Sequence, residues 1–89
     1  MLQLVNVQLE QINGLLQYSS FFYVNGEKYF ARLLESPKGQ LHWFYATRAT
    51  NVDENRDYIS SIQTWHHSYA GDVSLTTFKD HINDYIMTL

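Results

Sequence analysis

Cysteine is absent from this 89-residue chain. That excludes a disulfide scaffold, a thiolate-held iron–sulfur cluster and a Cys-type zinc finger. It also fits a reducing compartment, so the expected location is cytoplasmic. Proline occurs once and glycine four times, so few positions are set aside for unusual backbone. No apolar run approaches the roughly 20 residues that a membrane helix needs. The opening MLQLVNVQLEQ has neither a basic leader nor a continuous apolar stretch, and so does not read as a signal peptide. Charge is modest, with a formal net value of -3. Lys28, Arg32, Lys38 and Arg48 outnumber Glu27 and Glu35 in the middle of the chain. Asp53, Glu54, Asp57, Asp72, Asp80 and Asp84 make the last part acidic. Neither bias names a partner.

Apolar residues, by contrast, are plentiful at 45%, enough for one small folded domain covering residues 1–89. The aromatics crowd into one region. Phe21–Arg48 holds four of the five Phe, three of the seven Tyr and one of the two Trp.

Two Asn-Gly dipeptides organise this half. Asn25-Gly26 suits a two-residue type I′ hairpin turn, which needs left-handed backbone at both central positions. Such a turn pairs Val24 with Glu27, Phe22 with Tyr29, Ser20 with Ala31 and Tyr18 with Leu33. Asn13-Gly14, treated the same way, pairs Leu9 with Tyr18, Val7 with Ser20 and Val5 with Phe22. The two turns together collect Val5, Val7, Leu9, Tyr18, Phe22, Tyr29, Ala31 and Leu33 on one face. A helical reading competes at the start, because Leu2, Val5, Leu9, Ile12 and Leu16 also follow helical spacing. ESPKGQ marks a third turn, with Pro37 and Gly39 as its punctuation.

After these strands the spacing predicts two helices. Asn51 would cap the first, with Glu54 reaching back, and Tyr58, Ile62, Trp65 and Tyr69 would line one side. Asp72 or Ser74 would start the second, with a stripe of Leu75, Phe78, Ile82, Tyr85, Ile86 and Leu89. The expected fold is therefore α+β. It is an antiparallel β-meander of three or four strands near 3–12, 16–24, 28–35 and 41–48, followed by two C-terminal amphipathic helices near 52–70 and 74–88.

The simplest third turn pairs Arg32 with Trp43 and Phe30 with Tyr45. Phe21, Phe30, Arg32, Trp43, Tyr45 and Leu34 then share the face opposite Phe22 and Tyr29. Two helices packed on one face would leave these rings as a contact surface. We therefore take Phe21, Phe30, Arg32, Trp43 and Tyr45 as the candidate interaction residues, with Arg32 over Trp43 as a cation–π pair. Helices divided between the two faces, or an N-terminal helix on the second, would make the same rings ordinary core.

No chemistry-bearing motif appears. HExxH, GxSxG and a phosphate loop are all missing, and no cofactor is implied. His66 and His67 diverge on a helix. His81 and Asp84, joined by His42 or His66, are the best available metal set, yet His67 and His81 read more simply as surface groups. A small metal-dependent enzyme is one alternative function. Single-stranded nucleic acid stacked on Phe21, Phe30, Trp43 and Tyr45 beside Lys28, Arg32 and Arg48 is another. GEKYFARL lacks the glycine and basic pattern of an RNA-stacking strand, and the basic charge is weak. The acidic tail is likewise too sparse for strong nucleic-acid mimicry. The leading expectation is a non-enzymatic protein-interaction module, an inhibitor or regulator of a larger protein, that self-associates as a homodimer or meets another chain.

Overall fold

The computed structural model describes residues 2–37, 41–57, 59, 65–71 and 73–89. Among the described residues, five strands form one antiparallel sheet in the order β1-β2-β3-β4-β5. They are β1 (Leu4–Ile12), β2 (Leu15–Val24), β3 (Glu27–Glu35), β4 (Leu41–Arg48) and β5 (Trp65–Ala70). A 3-10 turn, Ala49–Asn51, follows β4, and the helix α1 (Leu75–Ile86) comes last.

Among the described residues the expected three or four strands are thus five, and the expected two helices are one. The first predicted helix, near 52–70, is not found among the described residues of that stretch: 52–57 are not helical, and Trp65–Ala70 is β5. Trp65 and Tyr69 are four apart, which suits a helix face, but Trp65, His67 and Tyr69 also alternate as a strand does. Strand pairing wins because β4 offers a free edge. Ala46 pairs with Trp65, Phe44 with His67 and His42 with Tyr69. Tyr58 and Ile62 of the expected stripe, Asp72, and Lys38 and Gly39 of the third turn lie outside the described residues.

The Asn-Gly turns are built as the dipeptides require. Asn13, Gly14, Asn25 and Gly26 have φ values of 52, 79, 51 and 82°. Both central residues of each turn are therefore left-handed, which fits type I′. The β2–β3 register is Val24↔Glu27, Phe22↔Tyr29, Ser20↔Ala31 and Tyr18↔Leu33. β1 is a strand rather than a helix, and it keeps Leu9↔Tyr18. Beyond that point a bulge intervenes, so that Val5 meets Phe21 and Leu4 meets Phe22. Asn6, at φ 57°, supplies the left-handed residue that such a bulge needs. One inserted residue moves Val5 to the opposite face from the one expected, and brings Leu4 onto Phe22 instead.

Residue pairs of β3 and β4 are shifted by two from the simplest turn: Arg32 meets Tyr45 and Leu34 meets Trp43. An even shift keeps every side chain on its expected face. One face carries the core. Phe22, Leu33 and Phe44 are fully buried against Phe78 and Ile82 of α1, with Tyr29, Ala31, Ala46 and Tyr85 completing the cluster. The rings meet at an offset or edge-on: Tyr18–Phe78 at 5.9 Å, Phe44–Phe78 at 6.3 Å and Phe22–Tyr85 at 6.3 Å between centroids. Such contacts add to area burial. Ser74 begins α1, its Oγ accepting from Thr77 N at 3.1 Å. This is the N-cap arrangement expected of a serine. No helix among the described residues is long and apolar enough to cross a membrane.

Candidate functional site

Phe21, Phe30, Arg32, Trp43 and Tyr45 share the sheet face that points away from α1, but they differ in depth. Phe30 is fully buried; Phe21, Arg32, Trp43 and Tyr45 are partly buried. The rings on this face are therefore not uniformly available. Among the described residues, the chain that follows β4 lies against this part of the sheet. The Ala49–Asn51 turn packs on β3, and Val52 is buried. Asn51 is not a helix cap. Its amide donates to Thr47 Oγ1 at 2.9 Å, closing the turn onto buried Thr47.

Asp53 then folds the next residues into a tight loop. Its Oδ1 accepts from Asn55 N at 2.8 Å and from Asp57 N at 3.0 Å. Its carbonyl accepts from Arg56 N at 3.0 Å, and its own N–H donates to Asp57 O at 2.9 Å. Carboxylates that bond nearby backbone in this way favour turns over helices. The loop holds Arg56 at φ 65°, in the left-handed region.

From there Arg56 latches the connection to the sheet. Nη1 donates to Ser19 Oγ at 2.8 Å and Nη2 to Asn6 O at 2.7 Å. The guanidinium also lies 5.2 Å from the Phe21 ring centre. Arg32 donates through Nη2 to the carbonyl of Arg56. Burial lowers the Arg56 pKa from its ordinary value, neighbouring Arg32 lowers it further, and Glu10 opposes both. Arg32 lies 5.5 Å over Phe30, and Lys28 lies 4.5 Å over Phe21. The expected partner of Arg32 was Trp43; the two-residue register shift places Arg32 opposite Tyr45 instead. Beside this latch is a cleft of about 400 Å³, lined among others by Glu10, Gln17, Ser19, Arg32, Glu54 and Arg56. Glu10, Glu54 and Asp57 outnumber the two guanidiniums there, so the cleft does not favour an anion.

Beyond the latch, Trp43 pairs across to Leu34 and Tyr45 stacks on His66 at 5.8 Å. These four side chains lie together on the far face.

The helix face holds a second cluster. His42 is 1% exposed. Its Nδ1 is 3.0 Å from Gly71 O and its Nε2 is 3.0 Å from His81 Nε2. A carbonyl only accepts, so His42 Nδ1 carries the proton and donates. In a neutral His42 ring Nε2 then accepts, and His81 Nε2–H donates to it. This leaves His81 Nδ1 as a buried lone pair with no partner among the described residues. Tyr69 stacks on His81 at 3.7 Å between centroids. His81 is therefore part of the helix–sheet contact, contrary to its expected place at the surface. Burial and the neighbouring His42 lower its pKa, while Asp84 and Asp80 pull the other way. Burial and Asp84 raise the Tyr69 pKa. Of the suggested metal set, His42 and His81 meet, whereas His66 is on the opposite face against Tyr45. Among the described residues no group of three or more His, Asp or Glu is arranged to hold a metal ion.

Sequence reasoning missed Arg56 because the segment read as helix. The Asp53–Asp57 spacing around a short polar run was its one visible signal. Comparison with known proteins finds no family model, no curated protein and no solved structure that matches this chain.

Proposed function

We propose that this chain is a protein-binding module, acting by contact rather than by catalysis, as a regulator or inhibitor of a larger protein. Its contact surface is the part of the far face around Trp43 and Tyr45. The observation that carries this reading is the division of that face. Phe21 and Phe30 are held under Arg56, Arg32 and Lys28, while Trp43 and Tyr45 stay partly exposed beside Leu34 and His66. The latched half supplies a rigid base, and large rings on a rigid base lose little freedom on binding. Trp and Tyr are the residues most often found at the energetic centre of such contacts. Base stacking on Phe21 and Phe30 is a poorer reading, because their own cations already occupy them and Phe30 is buried.

The test is comparative affinity capture from the native host with wild type, Trp43→Ala, Tyr45→Ser and the distant control Met87→Ala. A protein retained by wild type and control, lost on both far-face variants, and bound again by its purified form supports the reading. Equal retention by all four places the contact elsewhere. Retention of nothing by wild type rejects the reading.

A further inference from the structure

We propose that β1 pairs with β1 of a second copy, joining two sheets into one. This rests on the reading of the chain as an interaction module, and it places the contact between copies away from Trp43. β1 is an edge strand of nine residues with a single formal charge, Glu10. Val7, Leu9 and Ile12 are 43%, 54% and 49% exposed, although α1 covers β2, β3 and β4 nearby. Natural sheets protect such edges with charges, prolines, bulges or covering chain. Among the described residues the protection is confined to one end. The bulge lies between Val5 and Gln8, Ser20 Oγ donates to Val5 O at 3.1 Å, and Arg56 donates to Asn6 O. Residues 7–12 carry no charge except Glu10 and no proline. The opposite edge, β5, is six residues long, and His66 and Ser68 alternate along its far face.

The backbone selects the register. A two-residue turn makes Ile12 and Leu15 a hydrogen-bonded pair, so bonding to β2 alternates from there. The N–H and C=O of Leu9 and Gln11 consequently point away from β2. An antiparallel two-fold about Leu9 sets Leu9 against Leu9 of the copy, and Val7 against Gln11 of the copy. The outward groups of Leu9 are then matched to one another and those of Gln11 meet the bulged end of the copy, making about two to six inter-chain hydrogen bonds. Val7 and Leu9 of both copies gather on the helix side, while Gln8 faces Glu10 of the copy on the other. A two-fold about Glu10 would oppose two carboxylates, which cross-strand pairing disfavours. Because each chain has one β1, the assembly closes at two. Both far faces then lie on the same side of a ten-stranded sheet, which would present two copies of the Trp43 surface together.

The chain has no cysteine, so a single introduced thiol is an unambiguous reporter. Residues on the two-fold have Cα atoms about 5.5 Å apart, within disulfide range. Leu9→Cys should oxidise to a covalent dimer much faster than Met87→Cys, whose site is 84% exposed. Sedimentation equilibrium should show wild-type and Trp43→Ala dimers. Leu9→Lys, which sets two ammonium groups on the axis, should weaken the dimer at least about tenfold. A wild type that stays monomeric at high micromolar concentration overturns the proposal, as do equal oxidation rates or species larger than the dimer. A dimer lost in Trp43→Ala but kept in Leu9→Lys moves the copy contact to the far face, rejecting β1 pairing while leaving the module reading intact. Loss of captured partner with a preserved Leu9 dimer does the reverse.

Discussion

Replacing Arg56 with Ala removes three contacts at once and leaves the backbone strain in place. Two hydrogen bonds go, to Ser19 Oγ and to Asn6 O, together with the cation over Phe21. A hydrogen bond to a charged group contributes about 1.5–3 kcal/mol, and this guanidinium is only partly buried, so the lower end applies. The cation–π contact adds about 0.5–1 kcal/mol. Water recovers part of the sum, and Arg56→Ala is expected to destabilise by about 2–3 kcal/mol. Arg56→Gly loses the same contacts but relieves a left-handed φ of 65°. That relief is about 1–2 kcal/mol, reduced by about 0.4–1 kcal/mol for the more flexible unfolded chain. The glycine variant should therefore be more stable than the alanine variant by roughly 0.5–1 kcal/mol. Urea unfolding followed by tryptophan fluorescence measures all three proteins. An alanine variant within about 0.5 kcal/mol of wild type, the size of an ordinary surface substitution, would show that the latch does not hold the connection. A glycine variant less stable than alanine would show that residue 56 is not left-handed.

Two further outcomes follow from the helix face. Phe78→Ala, at a fully buried ring between Tyr18 and Phe44, should cost about 3–5 kcal/mol, read as a lower thermal midpoint; a negligible shift would contradict its position. For His81, the fold holds the pKa below the ordinary histidine value, so the neutral ring is the favoured form. As pH falls below about 6.5 the unfolded chain binds a proton that the fold resists, and stability drops until the lowered folded pKa is passed. The urea midpoint should decline from pH 7.5 to 5, and less steeply in His81→Gln; an equal slope in both would refute this.

The β2–β3 hairpin was readable in full because Asn25-Gly26 admits one turn geometry, and that turn dictates every pair from Val24↔Glu27 outwards. The third turn was less constrained, yet its two-residue error did no harm to the faces, so the five far-face residues fall together as expected. Their depth was not readable. Phe30 lies buried under Arg32 and beside Phe21, and the segment that follows β4 has a Tyr58, Ile62, Trp65 and Tyr69 spacing that mimics a helix stripe, while Trp65–Ala70 pairs as a strand. Propensity cannot separate those states when a tertiary partner, the β4 edge, decides between them. The Asn6 bulge was hidden in the same way, since Val5, Val7 and Leu9 alternate as though uninterrupted. His42 and His81 are 39 residues apart, and only the docking of α1 onto the sheet brings them together.

The meander order has a consequence for the chain during synthesis. Each strand pairs with the one made just before it, so the sheet can assemble stepwise as residues emerge, with the first three pairings closing short loops and the β4–β5 pairing a longer one. The helix is the exception. Phe22, Leu33 and Phe44 wait for Phe78 and Ile82, which leave the ribosome dozens of residues later. At about 5–20 residues per second, a nascent sheet spends seconds with its greasiest side uncovered. That interval, rather than the finished fold, is when a chaperone has most to hold.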